Sequence, residues 1–541
     1  MRTTWKRTFA TVVAGGLVFG SAACSDDPTS EDAIDLDGKK VAAMADYKAG
    51  QQFKAGEAVE FGILYSDHPN YGIKDDWLFW KELQQRTNVT LKPTVVPMSD
   101  YEQKRSLVVG AGDAPAIISK TYQGQEQAYV ASGAILPVSD YLDLMPNFKD
   151  KIEKWKLQPE LDTLRQEDGK FYLLPGVHEE VWPDYTLAFR TDELQRLGLR
   201  APTTWEEVRT VLRALKVAHP DSYPLSDRFE GKSILNYAAQ AFGTHAGWEY
   251  RNAQWDADQG KFVFTGSSAE QKQLVEFFHG LVQEGLMDPE SFTQKDEAAV
   301  QKLGAGKSFA ISSNAQTLVN DYRPALKNTP GATIAKITVP AGPASDGVGI
   351  SRLENGLMIS TKAAESDKFV AMMQFIDWLW YSDEGQEFAK WGVPGKTYDK
   401  DGSGKRALRP DVAFGGLNVG APQHLQKNFG FQGGVFAYGG TTELLQSMFT
   451  PEEIAFQEAM KAKEVNPLPP PHPFTAEERE RATLWETSLK DAATQGTLQF
   501  ILGDRDIAGW DAYVEELDTK GMTQYMDLVN NAYERFKTKN R

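Results

Sequence analysis

DGKFYLLPGVHEEVWPDYTLA, residues 168–188, is the stretch where the chain leaves one packed unit and enters another. Asp168 and Gly169 read as a tight turn, Lys170 to Leu174 as a strand with alternating faces, and Pro175 with Gly176 as its stop. A second strand, Asp184 to Phe189, then leads through Arg190 and Thr191 into a helical pattern. Taken alone, these residues also fit an ordinary hairpin edge. The flanking sequence decides.

A chain of 541 residues exceeds what one core organises, so two or three domains are expected. Apolar residues at 41% and charged residues at 25% make it globular. A net charge of −17 argues against a nucleic-acid partner, whose phosphates require a basic face. It suits a soluble, exported protein, and it disfavours an anionic ligand unless basic side chains gather in a cleft. Thirteen Trp, nineteen Tyr and twenty-eight Phe would serve a carbohydrate binder. Large enzymes are equally aromatic, so position has to discriminate.

Arg2, Lys6 and Arg7 precede an apolar run, Phe9 to Gly20, that is too short to span a bilayer and reads as a signal peptide over residues 1–23. The single cysteine, Cys24, follows Ser21-Ala22-Ala23 and resembles a lipobox cysteine, with Ser21 where Leu is usual. Lys6 stands where a twin-arginine signal has its first Arg, which favours general secretion. Residues 24–57, polar and acidic, read as a flexible tether behind the lipid.

Val59, Phe61, Ile63 and Tyr65 alternate with Glu60, Gly62 and Leu64 as a first strand that ends in the loop Ser66 to Asn70. Loops at strand carboxyl ends are where open α/β sheets bind ligands. Helix, strand and helix follow over 75–87, 90–96 and 101–109, the alternation of a doubly wound lobe. Thr204 with Glu207, Thr450 with Glu453 and Thr475 with Glu478 are spaced as capping boxes. Residues 230–330 read as mainly helical around a small hairpin at Trp255 to Phe264, and Phe369, Met372, Met373, Ile376, Leu379 and Trp380 as a core stripe.

Several strings carry a family likeness: DGKFYLLP, then RTDELQRLGLRAPTTWEEV at 190–208, GAGDAPAIIS at 110–119, ASGAILPVSDYL at 131–142 and GKSFAISSNAQT at 306–317. Together they resemble the extracellular solute-binding proteins of carbohydrate ABC importers. FAKWGVPGKTYD at 388–399, LPPPHPFTAEE at 468–478 and the run 500–536 are similar to the subgroup related to alginate-oligosaccharide-binding proteins. The resemblance implies a type II periplasmic-binding-protein fold: two discontinuous α/β lobes, a cleft between them and a helical C-terminal extension. It places 58–183 with 342–388 in one lobe and 184–341 with 389–541 in the other. It also implies capture of an oligosaccharide, delivery to the transmembrane subunits of an ABC permease, a monomer, and a lipid-anchored site on the outer face of the cytoplasmic membrane.

Sugars are held by flat aromatic faces and by carboxylates, amides and Arg paired to hydroxyls. The candidates at strand ends and crossing turns are Tyr65, Tyr122, Trp182, Tyr185, Trp248, Asn314, Arg352, Glu354, Trp391 and Tyr438, with Trp182 and Asn314 foremost. Core packing or a hinge bond is the alternative role for each. Catalytic readings lack a constellation. Glu179 and Glu180 alternate faces, His178 has no second histidine at zinc-helix spacing, and there is no P-loop. No catalytic residue or cofactor is assigned. Asp399, Asp401 and Ser403 begin like a calcium loop, but Pro410 stands where a bidentate Glu is required, so a surface hairpin is expected with calcium as the alternative. Two other functions stay open: binding of a peptide or other polar solute, and a secreted polysaccharide-active enzyme with facing carboxylates.

Overall fold

The computed structural model describes residues 35–349 and 351–539. The leader, Cys24 and the tether as far as residue 34 lie outside the described residues. In chain order the strands are β1 (Val59–Asp67), β2 (Val89–Pro97), β3 (Ile117–Thr121), β4 (Leu174–Val177), β5 (Thr186–Arg190), β6 (Ala253–Asp256), β7 (Lys261–Phe264), β8 (Ala310–Ser313), β9 (Ile334–Lys336) and β10 (Leu353–Ile359). β1, β2 and β3 run parallel because the helices Leu78–Thr87 and Tyr101–Gly110 carry the chain back between them. The first sheet has the order β2-β1-β3-β10-β4 and the second β8-β5-β9. Each sheet lies in one lobe, and β10 returns to the first after the chain has built the second.

Local chemistry explains much of this. Thr204 Oγ1 accepts the Glu207 amide at 3.1 Å, while the Glu207 carboxylate reaches Thr203 rather than Thr204. The capping box at Thr475 is complete and starts the 27-residue helix Ala476–Leu502. Trp205, Tyr237, Phe278, Leu489, Phe500 and Tyr513 share the second lobe's core with that helix.

Three expectations are corrected. The strand read at 170–174 is displaced to β4, so Pro175 and Gly176 lie inside it instead of ending it. β4 is an edge strand, where a residue without an N–H is tolerated, and the Pro175 carbonyl accepts Tyr381 Oη at 2.8 Å. Gly356 of β10 pairs there because a Cβ would stand 1.9 Å from the Leu174 carbonyl oxygen.

Residues 36–57 are not a loose tether. Phe53 is fully buried between Tyr47 and Phe375, the Val41 amide donates to Asp367, and Met44 exchanges two bonds with the Gln374 side chain. Two rings in a polar stretch suffice to bind it to the helix Phe369–Ile376.

Residues 391–438, assigned to the second lobe by the boundary at 389, pack on the first. Phe436 lies 4.6 Å from Phe79 and 6.0 Å from Tyr65, and Trp380 Nε1 donates to the Val435 carbonyl. The chain rejoins the second lobe near the helix Pro451–Met460, where Glu453 meets Lys336 at 2.9 Å and Gln457 donates to Pro183. Residues 178–185, 341–349 and 440–450 run between the elements of the two sheets.

Candidate functional site

Strand ends of the first lobe supply one wall of the cleft. After β1, Asp67 Oδ1 accepts the Ile73 amide and His68 Nδ1 the Asn70 amide, which folds the loop so that His68 stacks on Tyr71 at 4.2 Å. Lys120 stands near the end of β3 and Tyr122 just after it, the latter 46% exposed. Lys120 Nζ lies 5.6 Å from the Tyr122 ring centroid and 5.3 Å from that of Tyr438. His178, just beyond β4, meets Glu354 of β10 at 2.9 Å, and the Gly439 amide donates to the same carboxylate oxygen at 3.2 Å. Burial pushes the Glu354 carboxyl up. Its His178 partner, with Lys390 and Lys120, outweighs burial and holds it below the usual range. Lys390 is buried and donates to the Ala437 carbonyl, and burial draws its ammonium down to about 8.

The second lobe supplies an aromatic cluster opposite. Tyr185, ahead of β5, is 36% exposed and meets the 43%-exposed Trp248 edge-on at 5.3 Å; Trp248 in turn meets Phe229 at 5.0 Å. Arg228 lies over the Phe229 ring at 4.0 Å and pairs with Asp296 and Asp321. Asn314 follows β8, caps the next helix by accepting the Thr317 amide, and stands beside the Tyr185 hydroxyl. Burial first, then the Asp184 charge, raises Tyr185 to about 12, and Tyr122 of the facing wall adds to the rise. Lys120 Nζ lies near both the Tyr122 and the Tyr438 rings, which sets those two phenols on one side of the cleft. Rings with exposed faces beside oriented donors and acceptors are what a pyranose or furanose ring needs.

Six of the ten expected residues gather in this cleft: Tyr122, Tyr185, Trp248, Asn314, Glu354 and Tyr438, the last 4% exposed with its hydroxyl unpartnered. The other four are placed elsewhere. Tyr65 is 2% exposed and backs the wall against Phe436. Trp391 is fully buried, donates to Ser447 Oγ and packs on Tyr398, which corrects its selection. Trp182 stacks on Phe449 at 6.0 Å in a cavity of about 470 Å³ walled by the crossing segments. Arg352 lines the same cavity, with its guanidinium on Glu160 and on the Trp155 and Lys156 carbonyls. Trp182 also lies 5.9 Å from the His178 ring. Sequence reasoning missed His68, Tyr71, Lys120 and Phe229. His68 lay in a loop already marked by its position after β1, but the ring pairing that brings Tyr71 to it is tertiary.

Asp399 and Asp401 sit on a hairpin, β11 (Tyr398–Lys400) and β12 (Arg406–Leu408). Asp401 Oδ1 accepts from the Ser403 and Lys405 amides and from Ser403 Oγ, and Asp399 pairs with Arg409. Among the described residues no three His, Cys, Asp or Glu side chains cluster as a metal site requires.

Residues 74–387 match the family described as bacterial extracellular solute-binding protein. The chain is 23% identical over 540 residues to the fructooligosaccharide ABC transporter substrate-binding protein FusA of Streptococcus pneumoniae serotype 4 (strain ATCC BAA-334 / TIGR4), covering 92% of this chain and 94% of that one. It is 24% identical over 525 residues to the polygalacturonan/rhamnogalacturonan-binding protein YtcQ of Bacillus subtilis (strain 168), with the same coverage. The crystal structure of the alginate-binding protein AlgQ2 without calcium ion superposes with a TM-score of 0.69 at 21% identity, covering 89% of this chain and 99% of that one.

Proposed function

We propose, since the chain belongs to the bacterial extracellular solute-binding protein family, that it captures an oligosaccharide outside the cell and hands it to the transmembrane subunits of an ABC permease. The observation that carries this is the exposed aromatic faces that strand ends of both lobes present, Tyr122 on one and Tyr185 with Trp248 on the other. Relatives named for fructooligosaccharides and for galacturonan polymers support a saccharide over a peptide. Ligand that touches both walls favours the closed arrangement, and the closed arrangement is what the permease receives. Tyr122, Tyr185 and Trp248 stack on the sugar, while Asn314, Glu354 and the Tyr438 hydroxyl take its hydroxyl groups. Trp182 and Arg352 act on the hinge. The protein works as a monomer without cofactor and is tethered through a lipid on Cys24; among the described residues no helix is long and apolar enough to cross a membrane.

A thermal-shift screen of the purified protein against oligosaccharides, monosaccharides and short peptides tests the reading. An oligosaccharide at a hundred times its Kd adds about 2.7 kcal/mol of stability and is recovered intact. Stabilisation by peptides alone would replace the ligand class, and recovery of a cleaved sugar would make the protein an enzyme. Cys24→Ser moves the protein from the membrane pellet to the medium; an unchanged pellet removes the anchor.

A further inference from the structure

Lys120 sits at the end of β3 with φ of 53°, in the left-handed region that a long side chain rarely occupies. The backbone is held there: Arg105 Nη1 donates to the Lys120 carbonyl at 2.7 Å, and Arg105 Nη2 is fixed on Gln125 at 2.8 Å. Strain maintained at a cleft residue marks a side chain whose direction matters. That direction puts Nζ between the Tyr122 and Tyr438 rings. A Cβ on Gly434 would stand 3.8 Å from Nζ and 3.1 Å from Tyr71 Oη, so glycine there leaves room beside the ammonium.

The ammonium has no hydrogen-bond acceptor among the described residues. Among the described residues no carboxylate and no hydrogen-bonding oxygen lies within reach of Lys120 Nζ, although the side chain is partly buried. Glu354 feels the Lys120 charge but takes its hydrogen bonds from His178 and Gly439, and Asp67 takes one from the Ile73 amide, so neither is bonded to the ammonium. Burial first, then the Lys120 charge, holds His68 below its usual range, so its ring stands neutral beside the ammonium. A partly desolvated cation whose companions are rings retains most of its capacity for an anion.

We infer that Lys120 reads charge in this cleft, and that the oligosaccharide captured there carries a carboxylate, as a uronic acid does. This rests on the oligosaccharide reading above. Neutral sugars would leave the ammonium with hydroxyls alone, while a uronate supplies a charge-assisted bond.

Titration calorimetry with trigalacturonate and with the same trisaccharide after its carboxyl groups are reduced to alcohols isolates the charge, with kestose as an unrelated neutral sugar. The acid form binds about tenfold tighter than its reduced form, and raising NaCl from low to high concentration weakens only the acid. Lys120→Met removes that tenfold difference and leaves the melting point near wild type, while Lys120→Arg keeps it. Equal affinity for acid and reduced forms, or binding of kestose alone, overturns the inference and leaves the oligosaccharide reading standing. Binding of no saccharide overturns both. The salt dependence is read on the unaltered protein and decides the matter even where a variant fails to fold.

Discussion

Tyr122 and Trp391 look alike in sequence, and their surroundings give them opposite roles. Tyr122 keeps an open face at the end of a strand, whereas Trp391 is sealed between Tyr398 and Ser447. Tyr122→Ala therefore leaves the melting point within a degree or two and weakens ligand by about 1–2 kcal/mol, roughly tenfold in Kd. Trp391→Ala costs about 3–5 kcal/mol of stability through the cavity it leaves, with affinity of the folded fraction little changed. Calorimetry on both variants, beside their denaturation curves, checks the pair; the reverse pattern would move Trp391 to the site.

At the scale of elements, helix ends show what is local and what is not. The helix Ala476–Leu502 begins on its own Thr475 and Glu478, and Glu478 also pairs with Arg535 of the helix Met522–Lys539. The helix Pro146–Lys154 has no side-chain cap of its own. Asp377, 230 residues away, supplies one by accepting the Asn147 amide at 3.0 Å and the Phe148 amide at 2.9 Å. Burial raises the Asp377 carboxyl to about 6 against the lowering pull of those amides. Its folded pKa thus exceeds the unfolded value near 3.8, and the native state holds the extra proton in between. The stability this group contributes is full below pH 4, falls as pH rises to 6 and is level above. The advantage of wild type over Asp377→Asn should therefore shrink between pH 4 and pH 7, by an amount on the order of 2–3 kcal/mol in urea denaturation. A gap that is constant or widens with pH would contradict the assignment.

For the whole molecule the relevant equilibrium is closure. Apart from the crossing segments, the lobes touch where Arg479 donates to Gln127 Oε1 at 2.5 Å and where Lys539 meets Glu167 at 2.5 Å. Arg479 is already oriented by Glu486 and by the Phe474 ring, so little side-chain entropy is lost in making the contact. A partly exposed hydrogen bond and a surface ion pair are worth about 1 kcal/mol each, enough to bias an open-closed equilibrium without locking it. Arg479→Ala should raise the radius of gyration of the ligand-free protein in small-angle scattering and weaken ligand two- to fivefold. Ligand should return the variant to the wild-type closed value. An unchanged ligand-free radius would show that the contact does not hold the lobes together.

What the sequence by itself determined is local: the alternation of β1, the strand-helix rhythm of the first lobe, the helix starts at Thr204, Thr450 and Thr475, and the loops after strands where Tyr122 and Asn314 stand. Each of these depends on residues a few positions apart, so spacing alone reveals it. Tertiary structure decided which rings face solvent, because Tyr122 and Trp391 differ in their neighbours and not in their flanking residues. It also brought 36–57 and 391–438 onto the first lobe, through Phe53 on Phe375 and Phe436 on Phe79, contacts that join segments hundreds of residues apart. The acceptor-free ammonium of Lys120 is of the same kind. A lysine at the end of a strand is ordinary in sequence, and only the folded chain shows that its ammonium lies over two tyrosine rings and bonds to no carboxylate among the described residues.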